Sequence, residues 1–208
     1  MDGVFMYKIL KRLMICGLFA ALCWSAILLA DRRTISEELI RFHVVANSDS
    51  REDQSMKLLV RDAVLDSLRK DLQKIADVEQ ARTYLQDNLP KIRSVAIRTL
   101  ESLGFDGGAE VSLCRETFDV RHYDTFSLPS GIYHSLRIVI GEGKGHNWWC
   151  VAFPTLCIPA TVSGFESTAV SAGFSESLTD TLSGKDGCEI RFFLLDQLGR
   201  LEKIFFVE

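Results

Sequence analysis

Proline is scarce in this sequence, 4 of 208 residues, and glycine is held to 14. That composition excludes a collagenous or low-complexity chain and wholesale disorder. A basic excess is missing too: 24 Lys and Arg stand against 28 Asp and Glu, a net charge of -4, which excludes the electrostatic footprint of a nucleic-acid binder. Metal-ligand spacings are absent, with no CxxC, no HxxxH and no acidic cluster at ligand spacing. The one glycine-rich string, Gly141 to Asn147, fits neither the dinucleotide fingerprint nor the GxxxxGK[ST] phosphate loop. What is present is 47% hydrophobic and 25% charged residues, enough to bury a core in one ordinary domain with appendages.

The compartment is written at the N-terminus. Leu13 to Ala30 carries no charge, and as a helix it would span about 27 Å, close to a bilayer core. Lys8, Lys11 and Arg12 precede it, whereas Asp31, Arg32 and Arg33 follow, so the N-terminus is expected to stay in the cytoplasm and the rest to be exported. Small-x-small cleavage is poorly served, because Leu28 precedes Ala30 and Trp24 precedes Ala26 by two residues. A retained anchor is the first expectation and a cleaved signal peptide the second. Leu22 before Cys23 speaks against a lipoprotein signal. Residues 1–34 are therefore read as signal peptide or anchor, 35–158 as the core domain, and 159–208 as a loop and a C-terminal strand and helix packing on that core.

In the exported part, Leu39 to Ala46 alternates as a strand with Ile40, Phe42, Val44 and Ala46 on a buried face and Arg41 and His43 on the polar one. Ser50 and Asp53 approximate a capping box for a helix over 53–74, with Met56, Leu59, Val60, Val64 and Leu68 on its stripe and Lys57 on its wet side. Two nearly continuous helices over 78–103 follow, capped by Asp77 and interrupted at Pro90. Residues 109–119, 132–140 and 149–153 read as strands, the last two joined by the glycine string as a hairpin. A Ser, Thr and Gly-rich loop over 161–187 precedes a strand at 188–194 and a final helix weakened by Gly199. The fold class is α+β: an export helix, then a two-layer domain with helices on one face of a mixed sheet.

Chemistry is thinly supplied. Cys150 and His43, His122, His134 and His146 offer residue types for nucleophilic catalysis, but no local signature joins a nucleophile to a base. No catalytic residue, metal or cofactor is assigned; an extracytoplasmic Cys/His-dependent envelope enzyme stays as the alternative. Cys150 and Cys157, with Pro154 between them to turn the chain, form either a disulfide in an oxidising compartment or two buried thiols. Trp148 and Trp149 cannot both face inward on one strand.

Several strings are specific in combination: Arg41-Phe42-His43-Val44-Val45-Ala46-Asn47-Ser48-Asp49-Ser50, then Asp53-Gln54, Lys57 and Val60-Arg61-Asp62-Ala63-Val64. Later come Leu128-Pro129, Gly131-Ile132-Tyr133, Ser135-Leu136-Arg137, the run Gly141 to Val151, Phe153-Pro154 and Leu156-Cys157. Over Leu39 to Cys157 the chain resembles the stage II sporulation protein R family of endospore-forming bacteria. The resemblance implies a protein made in the forespore and exported across its membrane into the intermembrane space. There it would activate a membrane-embedded aspartic protease of the mother cell that processes a sigma-factor precursor. Such a ligand needs a contact surface, for which Arg41, His43, Asn47 and Asp49 at the first strand and Arg137, Asn147 and Trp148 around the glycine string are the candidates. The expected partners are that protease and the membrane through residues 13–30, with no nucleic acid. The competing structural reading has Asn47 and Asp49 cap the helix and Arg41 pair with a carboxylate.

Overall fold

The computed structural model of the protein describes residues 2–75, 77–123, 126–154, 167, 169–170, 174–185 and 189–206. The elements in order are α1 (Asp2–Glu37), β1 (Ile40–Val45), α2 (Arg51–Leu72), α3 (Val78–Asp87), α4 (Leu89–Ser102), β2 (Ala109–Phe118), β3 (Arg121–His122), β4 (Ser127–Leu128), β5 (Gly131–Ile140), β6 (Asn147–Phe153), α5 (Glu176–Leu182) and α6 (Glu189–Phe206). The main sheet is mixed, in the order β2-β5-β1-β6, with β1 parallel to β5 and both outer pairings antiparallel. A long apolar helix ahead of helices packed on a mixed sheet is the α+β class that the sequence predicts.

One face of the sheet is built as its periodicity dictates. Ser50 caps α2 by accepting the Asp53 N–H at 3.1 Å, and Asp77 caps α3 by accepting that of Gln80 at 2.9 Å. Val60, Val64 and Leu68 of α2 and Ile92, Ala96 and Leu100 of α4 then bury against Phe42, Val44, Leu136, Ile138 and Ile140. The stripe of α2 is rotated from the expected one: Leu59 is exposed, and Lys57, expected on the wet side, is buried. Asp53, Lys57, Val60 and Val64 are the residues at helical spacing that face inward, because the polar pair at the start of the stripe overhangs the end of the sheet and finds partners there.

The opposite face is covered as well. β1 is buried along its whole length, Arg41 and His43 included, so its polar face is not a surface. Leu28, Ile35 and Leu39 around the end of α1, Leu178 and Leu182 of α5 and Leu195 of α6 pack there on Phe118, Tyr133 and Val151. Residues 189–206 are helical throughout, correcting the strand expected at 188–194. Cys188, Ile190 and Phe192 do alternate in the sequence, but Leu195, Asp196 and Gly199 are the buried residues of this helix, with Phe192, Leu194 and Leu198 partly buried beside them, at helical spacing. Gly199 has a packing role, since a Cβ there would lie 1.7 Å from the Ser130 carbonyl oxygen. Within the expected loop over 161–187, Glu176–Leu182 is helical and capped by Ser175; residues 155–166 lie outside the described residues.

The glycine string is not a hairpin. β5 and β6 do not pair with each other, because β1 lies between them. The connection must therefore cross the end of β1, two strand spacings or about 10 Å. That crossing places it over Ala46 to Asp49.

Candidate functional site

At the C-terminal ends of β1 and β5, residues nearly a hundred positions apart form one polar network. Asn47 donates through Nδ2 to Asp53 Oδ2 at 2.9 Å and accepts the Glu142 N–H on Oδ1 at 3.0 Å. Ser48 Oγ also donates to Asp53, at 2.5 Å. Backbone bonds add to the seam: Lys144 N–H to Asn47 O at 3.0 Å and Gly145 N–H to Ala46 O at 2.9 Å. Asp49 accepts the His146 N–H at 2.6 Å and contacts the His146 ring, while Lys57 Nζ donates to His146 O at 2.8 Å and Gln54 Oε1 at 2.5 Å. Two glycines are required by this geometry. Gly143 has φ +63°, which L side chains rarely adopt, and a Cβ on Gly145 would lie 2.2 Å from Ser48 O.

The electrostatics follow from those bonds. Hydrogen bonds from Ser48 and Asn47 hold the Asp53 carboxyl below its ordinary range, and the backbone and ring of His146 do the same for Asp49. Burial pulls the Lys57 ammonium down despite the nearby Asp49 charge. Asn47 and Asp49 thus do not cap α2, which Ser50 does; they fasten the glycine crossing to the helix start. Outward from this seam, Glu142, Lys144 and His146 present side chains 69, 75 and 81% exposed.

The other candidates are dispersed. Arg41 is fully buried over the rings of Phe118 and Tyr133, 4.1 and 5.1 Å from their centroids, and donates to the Tyr123 hydroxyl at 3.0 Å. Among the described residues no carboxylate pairs with it, and cation–π attraction in a dry site, about 2 kcal/mol, takes the place of the expected ion pair. His43 stacks on Trp149, with ring centroids 4.6 Å apart, and its Nε2 lies 2.8 Å from Glu116, which also pairs with Arg137 at 3.2 Å. Burial alone would raise the Glu116 carboxyl, but the His43 hydrogen bond and the His43 and Arg137 charges outweigh it and leave it lowered. Asn147 and Trp148 are half-buried at the start of β6. The Trp148 ring meets Phe42 edge-on and carries the Arg61 guanidinium at 4.7 Å, so the two tryptophans pack on opposite faces. Sequence reasoning missed Glu116: alternation puts it on the face of Cys114, but only the register of β2 on β5 brings it to His43.

A thiol nucleophile finds little support. Cys150 is disulfide-bonded, and its expected partner Cys157 lies outside the described residues. Burial and the Glu116 charge push the Cys114 thiol up, which suppresses its thiolate. Among the described residues no group of three or more His, Cys, Asp or Glu is placed to hold a metal ion.

The class of protein is thereby drawn: an α+β domain, led by a helix long and apolar enough to cross a membrane, with a hydrogen-bonded seam across the C-terminal ends of β1 and β5. Residues 36–163, more than half of the chain, match the family model described as stage II sporulation protein R. Stage II sporulation protein R of Bacillus subtilis (strain 168) is 31% identical, over 80% of this chain and 83% of the relative. The chain belongs to the stage II sporulation protein R family. No solved structure matches it.

Proposed function

We propose that this protein is a sporulation signal, tethered by α1 to the outer side of the forespore membrane, that activates a membrane-embedded aspartic protease of the mother cell and so drives processing of a sigma-factor precursor. It acts as a ligand and not as an enzyme. Family membership supports the sporulation role. The observation that carries the ligand reading is where the seam lies. α1 meets the sheet at the Ile40 end of β1, and the Asn47 to His146 seam lies at the other end, six strand residues or about 20 Å further on. A domain held at one end by its tether presents the other across the intermembrane space. Glu142, Lys144 and His146 are the side chains it offers there, on a crossing pinned from beneath, and a pinned loop loses little entropy on binding.

Precursor processing in a non-sporulating host tests this reading. The full chain and a form exported by a cleavable signal should each permit processing when made with the cognate protease; a cytoplasmic form lacking residues 1–30 should not. No processing by either exported form, with export and protease confirmed, would reject it.

A further inference from the structure

Helix α6 is apolar on two sides. Leu195 and Gly199 face the sheet, where Leu195 is fully buried. Ile190, Phe193, Leu201 and Ile204 lie on the other side and are 70, 58, 50 and 72% exposed. At 100° per residue these four fall within an arc of about 80°. Single exposed apolar residues are ordinary, but two exposed apolar pairs in one arc, with only Gln197 between them, mark an interaction surface.

The way α6 is fastened to α1 says what covers it. Arg191 donates to Asp31 at 2.5 Å, and Arg32 pairs with Glu202. Asp31 and Arg32 are neighbours on α1, whereas Arg191 and Glu202 are eleven residues apart, about 16 Å along α6. One level of α1 is therefore gripped from both ends of α6, so α6 lies across α1 and not along it. That level is the first pair of charges after the uncharged run Leu13 to Ala30, where a membrane span would end. From Phe5 to Ile27 every side chain of α1 is exposed, so α1 leads away from the domain, and the α6 stripe is likewise turned away from the sheet.

We infer that α6 is an interfacial helix that buries Ile190, Phe193, Leu201 and Ile204 in the headgroup and upper acyl region of the same bilayer that α1 enters. This rests on the reading of α1 as a membrane tether. A helix across the exit of a span lies in the plane of the membrane, and an apolar face buried about 5–10 Å into that boundary is the usual depth of such helices. With α1 and α6 both seated, the domain has a fixed orientation on the membrane, and the glycine crossing points away from it.

The test places an environment-sensitive fluorescent amino acid at Phe193, at Ile204 or at Leu22 of the full chain, reconstituted in phosphatidylcholine vesicles. Quenching is compared between lipids brominated near the head of the acyl chain and lipids brominated near its end. The inference expects positions 193 and 204 to lose half or more of their emission to the shallow bromines, and position 22 to be quenched best by the deep ones. Quenching at 22 with none at 193 and 204 would overturn the interfacial helix and leave the tether standing. No quenching at any of the three would remove the tether itself, and the inference with it.

Discussion

Asp53 shows how one carboxylate can organise a surface it hardly reaches. Its Oδ2 accepts from both Asn47 and Ser48, and Asn47 in turn holds the Glu142 N–H of the glycine crossing. Those hydrogen bonds lower the Asp53 carboxyl from its ordinary value of 3.8. A carboxylate lowered on folding contributes stability that is complete above its unfolded value and is lost as pH falls through the folded one. Asp53→Asn should therefore cost about 1–3 kcal/mol at neutral pH, with the gap to the unsubstituted protein constant from neutral down to mildly acidic pH and closing below the ordinary Asp range. Urea unfolding across that range measures it; a gap that ignores pH would contradict this assignment. The residue types were legible in the sequence, since the two strings that hold Asn47, Asp53 and Gly141 to His146 stood out. Their connection was not, because no local pattern ties residues 47 and 142 together. The same limit hid the buried Arg41 and His43: strand alternation separates two faces but does not say what covers the second.

At the scale of elements, period and capping predicted α2, α3, α4 and the core strands well, because each needs only its own residues. The failures are where a distant element decides. The glycine string reads as a hairpin until β1 is placed between its two strands, and Cys188, Ile190 and Phe192 alternate like a strand although α6 buries Leu195, Asp196 and Gly199 on one side. Gly199 weakens a helix locally and is kept because it allows close approach to Ser130, whose N–H and Oγ are bonded to Asp196 at 2.9 and 3.0 Å. Gly199→Ala reverses the ordinary helix rule: propensity alone would make it stabilising by about 1 kcal/mol. Overpacking against backbone should instead destabilise the chain by about 1–3 kcal/mol, read as a lower urea midpoint. A rise in the midpoint would refute the close packing of α6.

The whole molecule has a direction. The end of α1 and the α6 crossing are at one end, and the seam of Asn47, Asp49 and the glycine crossing is at the other. On the proposed role, a ligand acting between two membranes would gain from such polarity, because its contact residues would be held out without a flexible linker to order on binding. The central claim is that this outward end meets the protease, and photo-crosslinking tests it most directly. A photoreactive amino acid replaces Lys144 at the crossing or, as a control, the exposed Arg98 of α4, in the full chain made with the cognate protease, while precursor processing is followed in parallel. Capture of the protease from position 144 and not from 98, with processing intact, is the predicted result; capture from 98 and none from 144 would contradict it.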